Sequence, residues 1–276
     1  MSRSMIQAAV TMNQLQHKLD VIGSNMANSQ TTGYKTRDAQ FASLLYQQIN
    51  NNTDPRNADG RLTPDGIRVG TGAKLGSVNI NLTPGAIKET DRGLDTALLE
   101  KNHLFQIQVE HNGVLETQYT RDGAFYLSPT NDGMSLMLTT KDGHPVLGDN
   151  GPITFSRDID AISIRDNGQI AVTEGNQTAT AGTLAIVEAI RPRVLEAAGE
   201  NGFRLPAMED LGYNENEIIQ QAPAIGRLLQ TSALEQSNVE LAKQMTDLMN
   251  AQRSYQFNAR AISMGDEMQG LVNQLR

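Results

Sequence analysis

Residues 103–151 read HLFQIQVEHNGVLETQYTRDGAFYLSPTNDGMSLMLTTKDGHPVLGDNG, and their punctuation decides the fold class. Asn112-Gly113, Asp122-Gly123, Asp132-Gly133 and Asp142-Gly143 recur at ten-residue intervals, and Asn150-Gly151 and Asn167-Gly168 follow them. Such dipeptides supply the positive φ angles of tight hairpin turns. The intervening runs are rich in Val, Ile, Leu and Thr and predict strands at 104–110, 114–119, 124–127, 135–139, 161–165, 169–172 and 183–187. This rhythm predicts an antiparallel, hairpin-rich, mainly β domain over 68–205. Residue identities change too much between intervals for a solenoid repeat.

Outward from this domain the chain turns polar on both sides. Residues 34–67 read as a linker or extended segment: 41–49 have the pattern of an amphipathic turn or two, and 50–66 are too polar to bury a face. On the other side 206–230 read as a second linker.

The two ends carry a different period. Met5, Ala8, Met12, Leu15, Leu19, Ile22 and Met26 follow alternating steps of three and four, the seam of a helix that packs lengthwise on other helices. A helix over 4–28 is about 37 Å long at about 1.5 Å per residue. Within 1–33 it ends in Asn28-Ser29-Gln30-Thr31-Thr32-Gly33, where polar side chains compete for backbone bonds and Gly permits a left-handed stop. At the other end, over 231–276, Leu241, Met245, Leu248, Gln252, Tyr255, Ala259 and Ile262 repeat the alternation. A second stripe runs through Phe257, Ala261, Met264, Met268, Leu271 and Leu275. Ser232 with Glu235 three residues later has capping-box spacing, which predicts a helix start near 231. Two stripes make a face wider than one partner helix covers. The expectation is mainly β architecture flanked by long terminal helices that pair in a coiled-coil-like layer.

Composition narrows the function. The 276 residues carry a formal net charge of -8 and no Lys/Arg-rich run, which argues against nucleic acid and against an anionic membrane surface. Cysteine is absent, excluding disulfides, thiolate metal sites and cysteine nucleophiles. No stretch approaches the roughly 18–20 apolar residues of a membrane span, and the first ten residues lack the apolar core of a cleaved leader. His17, His103, His111 and His144 stand at no recognised metal-site spacing, and no nucleophile elbow, phosphate-cradling loop or His-Glu-x-x-His occurs. Asp158, Asp160 and Asp166 lie close in sequence but read as exposed strand ends. No cofactor, metal or catalytic residue is expected.

Three motifs, in order along the chain, carry a resemblance. LDVIGSNMANSQTTGYK at 19–35 resembles the Asn-Asn-x-Ala-Asn-x-x-Thr-x-Gly-[Phe/Tyr]-Lys signature of the bacterial flagellar axial proteins, the rod and hook subunits. YTRDGAF at 119–125 and GHPVLG at 143–148 match its middle; LEQSNV at 234–239, AQRSYQFN at 251–258 and Asp266-Glu267-Met268 match its end. Length and a single central domain look most like a distal rod protein. Two positions depart from the pattern: His103-Leu104-Phe105 stands where Gly-Phe-Phe is usual, and Ser232 where Gly is common.

The resemblance implies a structural subunit, not an enzyme, that polymerises through its terminal helices into a hollow helical tube and transmits torque to the hook. Its partners would be further copies, other rod and hook proteins and the type III export apparatus, with no nucleic acid and no membrane insertion. It would reside in the flagellar basal body, exported without a cleaved signal. Assembly contacts would fall on Met12, Leu15, Leu19, Ile22, Asn25, Met26, Asn28, Leu241, Met245, Leu248, Gln252, Arg253, Tyr255, Ile262 and Met268. Phe41 and Leu45 have the spacing of an export-recognition signal in this family, but the pattern is short and common and local packing is the favoured reading. Alternatives are a hook or hook-junction protein, a wall hydrolase, and a monomeric β-rich binding module with an intramolecular helix pair.

Overall fold

In a computed structural model of the chain, the residues described are 3–43, 46–49, 67–70, 73–111, 113–130, 133–175, 177–199, 201–206, 212–223 and 226–275. They fall into two compact units. The larger comprises Asn25–Thr36 and Ile80–Glu240 and is antiparallel β. The smaller draws its described residues from Met1–Ser24, Arg37–Asn79 and Leu241–Arg276 and holds both long helices.

The larger unit is organised on a six-stranded sheet. Its spatial order is Glu196–Ala198, Gly202–Arg204, Val114–Thr120, His103–His111, Ile186–Ala189 and Ile219–Gln221, every neighbouring pair antiparallel. Successive side chains of a strand point to opposite faces, and here both faces are covered. Phe105, Ile107 and Ile186 enter a core with Leu138, Val146, Ile153, Phe155, Ile170 and Val172. Leu104, Tyr119, Val187 and Phe203 enter a second core with Leu195 and Ile218. The Phe105 and Phe125 rings meet edge to face at 5.1 Å. Two three-stranded sheets and several two-stranded pairs complete the unit.

The hairpin reading holds with one instructive exception. Gly113, Gly133, Gly143, Gly151 and Gly168 all have positive φ; Gly151 pairs with Gly148 at the end of its hairpin, and each of the others lies between antiparallel partners. Gly123 does not. Val114–Thr120 and Tyr126–Pro129 do not pair, and a Cβ on Gly123 would lie 1.8 Å from the Thr96 carbonyl oxygen. That glycine is required by close backbone approach, not by a turn.

Three expectations need correction. The segment expected to form amphipathic turns is extended: Arg37–Ser43 pairs with Ala73–Ile80, and Tyr46–Ile49 pairs antiparallel with Ile67–Gly70. The polar stretch 50–66 lies outside the described residues. The presumed linker over 206–230 contributes a helical turn at Glu215–Ile218 and an edge strand to the main sheet. The C-terminal helix starts at Leu241, not near 231. Ser232 has φ 51°, which no helical residue adopts, and Ala233–Glu235 pairs with Ile87–Glu89 instead.

The N-terminal helix spans Arg3–Ala27, of which the part up to Ser24 belongs to the smaller unit, and the C-terminal helix spans Leu241–Gln274. Ala8, Leu15 and Ile22, seven residues apart, are buried. So are Gln244 and Ala251, also seven apart. Both sets have the heptad period of helices that pack lengthwise.

Candidate functional site

Two places carry features that a self-contained β protein does not need: a buried charge cluster in the β unit and the outer surface of the C-terminal helix.

The cluster is built from segments far apart in sequence. Glu235, on its short strand, is 2% exposed. Its carboxylate accepts from Lys35 Nζ at 2.5 Å, from Arg121 Nε at 2.6 Å and from the Gly85 backbone N–H at 2.8 Å. Lys35 also donates to the Thr83 carbonyl at 2.9 Å. The Arg121 guanidinium is fully buried and donates in addition to the carbonyls of Glu100, Lys101, His103 and Leu98. Buried charges are tolerated when paired and hydrogen-bonded throughout, and this network meets that condition. Burial, partly offset by Glu235, lowers the Lys35 pKa from 10.5 to about 8.

Neighbouring contacts stitch the same segments together. Gly33 N–H donates to the Glu235 carbonyl at 2.9 Å, and Tyr34 Oη donates to Asn25 Oδ1 at 3.0 Å. Asn238 Oδ1 accepts from Thr36 N–H and Thr36 Oγ1, while its Nδ2 donates to the Asn81 and Thr83 carbonyls. Thr32 Oγ1 and Asn201 Nδ2 donate to the Asp122 carboxylate, whose pKa burial raises. Gly33 has φ +67°, and a Cβ there would lie 2.4 Å from the Asp122 nitrogen. Thr36, where one segment leaves this unit, and Asn238, two residues before the unit ends at Glu240, are thus directly bonded.

The C-terminal helix shows the opposite character. Its inward positions are Gln244, Leu248, Ala251, Tyr255, Asn258, Ile262 and Gly265, a heptad seam shifted from the expected one and half polar or small. Outward lie Phe257 at 67% exposure, Met264, Met268, Leu271, Val272 and Leu275, with Leu241, Met245 and Met249 toward the start. Scattered exposed apolar residues are ordinary; a contiguous row of this kind marks an interaction surface.

The expected interface residues therefore divide. On the N-terminal helix Leu15 and Ile22 are buried, Met12, Leu19 and Met26 half-buried, all within the single chain. Asn25 is 1% exposed and bonded to Tyr34, and Asn28 accepts from Thr31 Oγ1, so these amides serve the chain itself. On the C-terminal helix Leu241, Met245, Gln252, Arg253 and Met268 are exposed, and Leu248, Tyr255 and Ile262 face the seam. Phe41 is 40% exposed with Lys18 Nζ 5.4 Å above its ring; Leu45 lies outside the described residues. An open polar groove of about 560 Å³ follows the main sheet past His111, Glu116, Asp142 and His144. Among the described residues no three His, Asp or Glu are grouped to hold a metal.

Three family models match the chain: flagella basal body rod protein over 7–35, flagellar hook protein FlgE/F/G D1 domain over 99–172, and flagellar basal body rod FlgEFG protein C-terminal over 230–275. Each matched segment supplies one member of the buried triad: Lys35, Arg121 and Glu235. The chain is 40% identical to the flagellar hook-basal body complex protein FlhP of Bacillus subtilis, over all of both chains. It is 33% identical to the flagellar basal-body rod protein FlgG of Agrobacterium fabrum, over 98% of each chain. Identity to FlgG of Caulobacter vibrioides is 34%, over 98% of this chain and 97% of the relative.

This chain belongs to the flagellar rod and hook protein family.

Within that family the triad has a plain physical meaning. It is the point where the signature's separated pieces become one structure, and sequence inspection missed it because the partners are 114 and 200 residues apart. A usable signal did exist: a Lys, an Arg and a Glu, each inside an otherwise polar or glycine-bearing motif.

Proposed function

We propose that this chain is a structural subunit of the flagellar basal-body rod, in its distal part. It polymerises through its terminal helices into a hollow helical tube that passes torque to the hook. The observation that carries this is the row Phe257, Met264, Met268, Leu271 and Leu275, exposed along a long terminal helix whose inward positions end at Gly265. Side chains of this size each gain about 1.5–3 kcal/mol when fully buried, so repeated contacts between copies draw on a large reserve. A contact repeated head to tail without closing generates a helical tube. Family membership supports the same reading, as do the names of the relatives.

The role is one of assembly rather than catalysis. Partners are further copies, other rod and hook subunits and the flagellar export apparatus. No described helix is long and apolar enough to cross a membrane. Sedimentation and electron microscopy of the concentrated full-length protein test the reading. Tubes or filaments are expected from the wild type and none from a Phe257→Asp/Leu271→Asp double variant. A wild type that stays monomeric, or a double variant that assembles equally well, would refute it.

A further inference from the structure

We infer that Met245, Met249, Met264 and Met268 form an oxidation site that gates assembly. The inference rests on the rod-subunit reading and specifies how its interface is chemically vulnerable. These four residues are 52%, 51%, 58% and 66% exposed on the C-terminal helix. They form two i,i+4 pairs on the outward side of the helix, among Leu241, Phe257, Leu271 and Leu275. The chain has 11 methionines and no cysteine, so methionine carries all of its side-chain sulfur. A peroxide meeting a free subunit has no thiol to consume it first, and four of the accessible thioethers lie on the assembly surface.

The chemistry is a two-electron oxidation. Hydrogen peroxide transfers one oxygen to the thioether sulfur, forming an S–O bond as the O–O bond breaks, and leaves as water. The sulfoxide is polar and chiral where the thioether was apolar and adaptable, and such a change disrupts methionine-rich contacts. Burial against neighbouring copies would shield the same sulfurs. Free subunits are therefore sensitive and assembled ones protected, and a methionine sulfoxide reductase restores competence.

Met134 provides an internal control, because it is 81% exposed but sits at a hairpin turn of the β unit. The test treats full-length protein with dilute hydrogen peroxide before and after assembly. Each methionine is mapped by mass spectrometry, and the lowest concentration that supports polymer is measured. Before assembly the four helix positions and Met134 should oxidise readily; after assembly the four should slow several-fold while Met134 does not. Oxidised subunits should need a roughly tenfold higher concentration to assemble, equivalent to about 1.4 kcal/mol per subunit. Reductase treatment should reverse this. The variant carrying Met→Leu at all four positions should keep its own assembly concentration after peroxide, and Met134→Leu alone should not protect. Complete sulfoxide formation at the four positions with an unchanged assembly concentration would overturn the inference alone. Absence of polymer from untreated protein would overturn the rod reading beneath it.

Discussion

The charge cluster around Glu235 and the outer face of the C-terminal helix are opposite solutions to the same requirement. Around Glu235 every charged group finds its partners inside one chain, although they come from residues 35, 121 and 235. Along the helix, Phe257, Met268 and Leu275 find none of their burial there, although they are apolar and periodic. The difference teaches where the subunit is finished. In its β unit the segments at Thr36 and Asn238 are bonded to each other; under the proposed function, its terminal helix is half of an interface.

The comparison predicts unequal effects on the stability of the single chain. Replacing Glu235 by Leu leaves the Lys35 ammonium and Arg121 guanidinium buried without their anion, and breaking such a pair costs about 3–5 kcal/mol. Denaturant unfolding followed on the β unit should show that loss. A change below about 1 kcal/mol would mean that the cluster is not what closes the unit.

A second test uses pH. Lys35 titrates near 8 in the folded chain and near 10.5 when free, so the folded state holds this proton less tightly. Between those values the unfolded chain binds more protons, and unfolding free energy should rise with pH by at most about 1.4 kcal/mol per unit from this group. Comparison with Lys35→Met isolates that contribution from other titrating groups. The wild type should gain on the variant from pH 8 to 10, and a relative loss would reverse the assignment.

Ser232 offers a smaller and opposite effect. Its φ of 51° suits glycine, the residue common at this position in the family pattern. Ser232→Gly should relieve left-handed strain and stabilise the chain by about 1 kcal/mol, less the added flexibility of the unfolded state. Destabilisation would show that the serine side chain contributes more than its backbone costs. The Phe257→Asp/Leu271→Asp pair should change stability least, within about 0.5 kcal/mol for each exposed substitution, while abolishing assembly. A large stability loss would place those residues in the subunit's own core.

Much of this was legible before the coordinates. The turn dipeptides located the hairpins because Asn-Gly and Asp-Gly act locally, and strand 135–139 falls where its sequence predicts. The N-terminal seam Ala8, Leu15, Ile22 was readable because its buried residues are apolar. On the C-terminal helix the expected seam and the inward positions coincide at Leu248, Tyr255 and Ile262 and part elsewhere. Its buried positions are Gln244 and Ala251, while Met245, Met249, Met264, Met268, Leu271 and Leu275 are exposed. Hydrophobicity alone does not separate a helix face buried within its own chain from one left exposed on it. The false helix start at Ser232 has a similar origin. Glu235 has capping-box spacing, but its carboxylate is withdrawn into the triad by residues no local rule connects to it. The strand at 37–43 was missed because its partner lies at 73–80, beyond the reach of periodicity.

Amide hydrogen exchange on the full-length chain, dilute and then assembled, tests the central contrast most directly. Residues 33–36, 119–123 and 233–238 should be protected in both states, and residues 257–275 should gain protection only on assembly. Strong protection of 257–275 in dilute solution, or none gained in the polymer, would contradict the division between a finished β unit and an unfinished helix.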